Sequence, residues 1–145
     1  MPEQRKIQVK KIDSQPDLEK AFAIRTEVFV DEQGCPPELE RENEEVSNHF
    51  LATINGEPVA ASRWRQTDKG IKLERFAVLK PYRGLGIGQE LVKAVLADLP
   101  AEASYVYLHA QTPAVPLYLK CGFEIVGDEF EEAGIKHFKM VKLNS

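Results

Sequence analysis

At Pro81 the hydrophobic period of this chain changes, and that change constrains its fold more than any other feature. Upstream, His49 to Ile54 and Pro58 to Arg65 alternate apolar and polar residues around Asn55-Gly56-Glu57. Alternation of period two is the mark of a half-buried strand, and Asn-Gly is a strong hairpin signal. Thr67-Asp68-Lys69-Gly70 makes a second turn before a strand from Ile71 to Leu79. Three antiparallel strands in a row follow from this pattern, and Pro81 stops the last of them. Downstream, from Gly86 to Asp98, Ile87, Leu91, Ala94 and Val95 fall at i, i+4, i+7 and i+8. Glu90, Lys93 and Asp98 lie off that stripe, so the segment is an amphipathic helix that Pro100 ends.

The flanks extend the pattern. Ile7 and Val9 alternate with polar residues, which predicts a first strand near Lys6 to Lys11. Ser14-Gln15-Pro16-Asp17 has the spacing of a helix cap with proline in the first turn. The helix that follows can place Leu18, Phe22, Val28 and Phe29 on one face, and Gly34 ends it before Pro36-Pro37. The acidic run Glu38 to Glu45 is read as a short second helix, and its charge as a solvated face or as a rim for a cationic acceptor. Tyr105 to Leu108 is a short buried strand, and Thr112-Pro113 opens a helix that Gly122 closes. Phe123 to Val126 and Lys136 to Lys142 are the last two strands. The predicted order is β-α-α-β-β-β-α-β-α-β-β, an α/β (α+β) mixed sheet with helices packed on it.

Composition fits one soluble domain, residues 1–145. The chain is 43% hydrophobic and 29% charged, enough apolar content for a core without staples. No apolar run approaches the roughly 20 residues of a membrane helix, and the first residues carry no secretory pattern. With 19 basic and 23 acidic residues the net charge is −4, and the run from Glu38 to Glu45 accounts for all of it. The remainder is neutral, which argues against a nucleic-acid surface. The 2 cysteines build no disulfide framework, and no Cys/His spacing points to a metal. The expected compartment is the cytoplasm, with no membrane and no nucleic-acid partner.

The segment Leu73 to Gln89 carries the most chemistry. A strand ends, a basic glycine-rich turn follows, and a helix begins. Backbone N–H groups at a helix start are unpaired and point outward, and the helix dipole adds positive potential. Glycines let a diphosphate approach that backbone closely, and Arg83 adds a charge. A dinucleotide fingerprint would need glycine where Gln89 stands, and a Walker loop would need a following Lys-Ser/Thr. The pattern Arg83-x-x-Gly86-x-Gly88 instead resembles the acyl-CoA pyrophosphate loop of the GNAT superfamily of N-acyltransferases. Gln111 to Phe123 resembles the stretch of that superfamily ending in aromatic-Tyr-x-x-x-Gly-Phe, with Tyr118 in the tyrosine position, Leu117 in place of the aromatic and Gln111 where many members have Asn. Arg25 to Gln33, Ser62 to Arg65 and Ala133 to His137 look like one small bacterial GNAT subgroup, with Lys136 where many members carry proline.

The resemblance implies a binding set for acetyl-CoA, the acyl-donor substrate. The set is Phe76, Ala77 and Val78 on the strand; Arg83, Gly84, Leu85, Gly86, Ile87, Gly88 and Gln89 in the turn and helix start; and Gln111 and Ala114 beyond the next strand. It also implies transfer of an acetyl group to an amine in a ternary complex, without metal. An amine with a pKa near ~10 is mostly protonated at neutral pH, so a base must take its proton. Glu74 is the candidate base, with a surface glutamate as the alternative, and His137 is the second candidate. A free strand N–H near Ala77 or Val78 would stabilise the oxyanion. Tyr118 would hydrogen-bond the departing sulfur. Donating its proton to a thiolate of pKa ~8.5 is uphill by roughly 2 kcal/mol unless its own pKa is lowered. Arg63 and Arg65 share one strand face, with Trp64 on the other, and read as a wet face over a core tryptophan; the alternative is a charged acceptor pocket. His49 and His109 look structural. A small-molecule amine is expected as acceptor rather than a protein, and the chain as a monomer or homodimer. The rival readings are a non-catalytic acyl-CoA-binding module and a nucleotide-phosphate-binding protein.

Overall fold

The Asn55-Gly56 turn and the alternation around it build the hairpin at the heart of the sheet. In the computed structural model, which describes residues 6–36, 46–132 and 134–142, β2 (Asn48–Ile54) and β3 (Glu57–Gln66) pair antiparallel across it. Asn55 has φ 50° and Gly56 φ 88°, the left-handed pair that a two-residue hairpin turn requires. β1 (Ile7–Ile12) pairs with β2, and β4 (Ile71–Val78) with β3, both antiparallel. β5 (Val106–Gln111) adds in parallel to β4, followed by β8 (Ile135–Lys142), which carries β6 (Phe123–Ile125) on its far side. β7 (Phe130–Glu132) also pairs with β8, completing a mostly antiparallel sheet of 8 strands in the order β1-β2-β3-β4-β5-β8-β6. Among the described residues the last strands are therefore three rather than the two expected. The extra hairpin rests on Gly134 at φ 77°, in a stretch where polar residues hide the alternation.

Helix α1 (Gln15–Arg25) begins as read, with the Ser14 hydroxyl accepting from the Asp17 N–H at 3.4 Å and Pro16 in the first turn. It does not run on as α-helix. Residues Thr26–Glu32 form a π-helix, and Gly34 at φ 76° ends the whole segment. The buried face runs through Ala21, Ile24, Arg25, Val28 and Phe29, with Leu18 and Phe22 at its edge. π-turns concentrate at functional sites because they push a helix face outward. The short helix expected within Glu38 to Glu45 lies outside the described residues.

Helix α2 (Ile87–Asp98) packs Ile87, Leu91, Val92 and Val95 against one face of the sheet, where they meet Phe50, Val59, Leu73 and Met140. Each such side chain contributes about 1.5–3 kcal/mol on burial. Trp64 is in this core and its indole N–H donates to Asp98 Oδ2 at 2.9 Å. The opposite face holds the smaller core of α1 and the π-helix with Ile12, Leu51, Ala61 and Ala77. Thr112-Pro113 opens a single 3-10 turn, Thr112–Ala114, before helix α3 (Val115–Lys120).

Two irregularities position the site. The β3–β4 register shifts between Ala61, opposite Ala77, and Arg63, opposite Glu74, which is a bulge on β4 with Arg75 at φ 60°. The β4–β5 pairing is confined to Ile71–Val106, Lys72–Tyr107 and Leu73–Leu108. Beyond Leu73 the two parallel strands are no longer paired, and the sheet opens into a cleft.

Candidate active site

The cleft continues into a cavity of about 1040 Å³. Its floor is the second half of β4 and the end of β5; α3, the turn before α2, the end of the π-helix segment and the β7–β8 hairpin wall it. Of the residues singled out in the sequence, Glu74, Phe76, Val78, Arg83, Gly84, Gly86, Ile87, Gly88, Gln89, Gln111, Ala114, Tyr118 and His137 all border it. Ala77 does not: its side chain is buried in the α1-side core. Leu85 turns to the α2 core instead.

At one end lies the glycine turn. Gly84 has φ 81° and Gly86, the N-cap of α2, has φ 86°. A Cβ at either would meet nothing within 4 Å, so the turn is a cradle with open space above its backbone. Gly88 has a different reason to be glycine, since a Cβ there would lie 3.0 Å from Leu117 Cδ2 where α2 packs on α3. Arg83 does not extend freely over the turn. Its Nε donates to the Val78 carbonyl at 2.8 Å and its Nη2 to both Glu32 oxygens at 2.8 and 3.1 Å. The Gln111 amide is likewise engaged, exchanging hydrogen bonds of 2.9 and 3.1 Å with Gln33.

Tyr118 stands mid-cavity, almost fully buried, edge-on to Phe76 at 5.8 Å and to Phe123 at 6.1 Å. Burial, and then the nearby Cys121, raise its phenol pKa. The hydroxyl therefore keeps its proton more firmly than an ordinary tyrosine, which opposes full proton donation and leaves it a hydrogen-bond donor.

The other end is charged. Arg63 and Arg65 do not form a wet face: Arg63 is completely buried and both border the cavity. Arg63 donates from Nε to Glu74 Oε2 at 2.8 Å and forms a second bond from Nη2. Arg65 Nε reaches the same oxygen at 3.1 Å, and Lys72 Nζ lies 3.5 Å from Oε1. Burial pushes the Glu74 pKa up, but the charges of Arg63 and Lys72 and the hydrogen bonds from Arg65 and Arg63 outweigh it and bring it to about 2. A carboxylate of that pKa holds a proton poorly at neutral pH, so this geometry argues against Glu74 as the base.

The register of the last strands assembles a second group there. β5 and β8 place Gln111 opposite His137, and β7 and β8 place Phe130 opposite His137. His137 Nδ1 lies 2.8 Å from the Ile135 carbonyl. A carbonyl only accepts, so Nδ1 carries a proton and Nε2 holds the lone pair of the neutral ring. Glu132 Oε2 is 4.0 Å from that Nε2, while Glu132 Oε1 accepts from His109 Nδ1 at 3.1 Å. Phe130 stacks on His137 and meets His109 edge-on. His109 is thus a cavity residue and not only a structural one, and Glu132 is a functional candidate absent from the sequence reading. Alternation along β5 put His109 on the same face as Tyr107 and Gln111, but nothing local ties it to a glutamate 23 residues on.

A glycine cradle at a helix start, a buried tyrosine and a bulged strand splayed from its parallel neighbour form one constellation. Residues 9–144 match the acetyltransferase (GNAT) domain family. The chain belongs to the GNAT acetyltransferases. It is 42% identical over 132 residues to the uncharacterized N-acetyltransferase YjcF of Bacillus subtilis, covering 89% of this chain and 94% of that protein. Among solved structures, an acyl-CoA N-acyltransferase from Pseudomonas aeruginosa superposes with a TM-score of 0.80 at 26% identity, covering 97% of this chain and 100% of the other. Escherichia coli ElaA superposes at 0.77 with 27% identity and the same coverage. The mixed sheet and helices of this acetyltransferase match the GNAT fold. Among its described residues no helix is long and apolar enough to cross a membrane.

Proposed function

We propose that this GNAT protein transfers the acetyl group of acetyl-CoA to the primary amine of a small molecule by direct attack in a ternary complex. The observation that carries the reading is the continuity of the cavity: one space joins the glycine cradle, Tyr118 and the Glu132–His137 pair. The backbone of Gly84, Gly86 and Ile87 would hold the diphosphate, where the α2 dipole favours negative charge. Phe76, Val78, Gln89 and Ala114 would flank the pantetheine arm. The edge of β4 beyond Leu73, unpaired by β5, offers N–H groups for the thioester oxygen.

His137 takes the role of base in preference to Glu74. Its ring is oriented by the Ile135 carbonyl, its Nε2 lies 4.0 Å from Glu132 Oε2, and Glu132 would stabilise the imidazolium that forms. Tyr118 hydrogen-bonds the departing sulfur and keeps its own proton. Glu74 fixes Arg63, Arg65 and Lys72 in place.

The test is release of CoA thiol from acetyl-CoA in the presence of a library of small amines. Turnover is expected with at least one, and His137→Gln should lower kcat by about 10²–10⁴-fold with CoA affinity retained. Tight CoA binding without turnover on any amine would make the protein a binding module instead. Full activity in His137→Gln would remove the histidine from the mechanism.

A further inference from the structure

The charged end of the cavity is overbuilt for an amine alone. Arg65 and Lys72 are both side chains about four-fifths buried, at 21% and 17% exposed. Among the described residues their ion pairs go to Glu74 alone, a carboxylate they share with the fully buried Arg63. Arg65 uses only Nε for that bond, and its terminal Nη groups make no hydrogen bond among the described residues. Sharing one carboxylate leaves the terminal donors of Arg65 without an anion among the described residues, which is costly in a half-enclosed space, and the cations repel an ammonium approaching from water. An acceptor that brought its own negative charge would relieve both costs.

Lys72 on β4, with Arg65 opposite it on β3, is too far along the sheet to serve the diphosphate. Lys72 lies six residues before Val78, roughly 20 Å at the rise of a strand, and the glycine cradle lies beyond Val78. Lys72 does border the same cavity as the proposed base. Glu132 has its pKa lowered first by the hydrogen bond from His109, against burial, and then by the charges of His109, Lys72 and His137. Lys72 pairs with Tyr107 on β5, two residues before His109, which bonds Glu132, and Arg65, Lys72, His109, Glu132 and His137 border one cavity, so the basic pair and the His–Glu group lie within the span of one small molecule.

Resting on the acetyltransferase reading above, we propose that this end of the cavity selects an amine that also carries a carboxylate or phosphate oxyanion. Arg65 and Lys72 bind the oxyanion, and the amine lies toward His137. Both are specificity residues with no part in the proton transfer. A planar guanidinium suits a carboxylate or a phosphate in a paired geometry, and an ammonium adds a point charge.

The experiment is calorimetric. The protein is first titrated with CoA, and the CoA-saturated protein is then titrated with two matched pairs, phenylalanine against 2-phenylethylamine and O-phosphoethanolamine against ethanolamine. At least one oxyanion-bearing member should bind ten times or more tighter than the counterpart that lacks the oxyanion, and the pair that shows it separates carboxylate from phosphate. Arg65→Gln and Lys72→Met should each reduce that preference roughly tenfold to hundredfold, with Kd for CoA within a factor of about two of the parent. Arg65→Lys, which keeps the charge and loses the fork, should retain part of it, and thermal melts confirm that each variant is folded. CoA binding with no preference in either pair, or a preference that survives both substitutions, overturns the proposal and leaves the acetyltransferase reading standing. Failure of the parent to bind CoA would sink that reading and this one together.

Discussion

The two ends of the cavity are built by different means. At the glycine turn the wall is backbone, shaped by the positive φ of Gly84 and Gly86 and by the start of α2. The side chain that sequence pattern put there, Arg83, is held by Glu32 and the Val78 carbonyl. At the far end the wall is side chains from five strands: Arg63 and Arg65 on β3, Lys72 and Glu74 on β4, His109 on β5, Glu132 on β7 and His137 on β8. A backbone site is encoded by one contiguous motif. A side-chain site across strands needs every register to be right, since a slip of one residue turns each side chain to the other face.

The largest expected effect tests how far the charged end is structural. Glu74→Leu removes the carboxylate with which the fully buried Arg63 pairs, and the fold should lose about 3 kcal/mol in urea titration. The same group makes stability depend on pH. Its pKa is about 2 in the folded chain against an ordinary 4.5. The contribution is therefore present above pH 4.5 and is lost as pH falls from there toward 2. An unchanged acid limb in Glu74→Leu, or a loss under about 1 kcal/mol, would show that Arg63 does not depend on this pair.

Tyr118→Phe probes the middle of the cavity. The ring and its edge contacts with Phe76 and Phe123 survive while the hydroxyl is lost. Fold and CoA affinity should stay near the parent, and single-turnover transfer at saturating acetyl-CoA should slow on the order of 10²-fold. Because the tyrosine pKa is raised, no basic limb from its titration should appear below pH 10 in the parent profile. Such a limb, absent in Tyr118→Phe, would restore proton donation.

The smallest effects sharpen the reading of the glycine turn. Gly86→Val forces a branched side chain into φ 86°, and CoA binding should weaken by about tenfold. Arg83→Ala loses a half-exposed pair with Glu32, worth at most about 1 kcal/mol. Its effect on CoA binding should accordingly stay within a factor of about five. If calorimetry ranks Arg83→Ala above Gly86→Val, charge and not backbone geometry dominates this end.

Much of this was legible in the chain itself. The Asn55-Gly56 hairpin, the period change at Pro81 and the glycine turn are local, and local signals survive whatever the chain packs against. With the resemblance of Gln111 to Phe123 and the flanks they were enough for the mixed sheet, its helices and the family, and 13 of the 15 site residues singled out border the cavity. The π-helix at Thr26–Glu32 was hidden because apolar spacing alone does not distinguish i+4 from i+5 hydrogen bonding. The β7 strand was hidden because Phe130-Glu131-Glu132 is too short and polar to alternate visibly. Only the tertiary structure decided that Arg63 is buried and that Glu74 is surrounded by cations. It alone joined His109, Glu132 and His137 through the pairing of β5, β7 and β8. Sequence determines what each residue prefers locally; burial and charge partnership depend on which distant strand lies alongside, and they set the pKa values on which the chemistry turns.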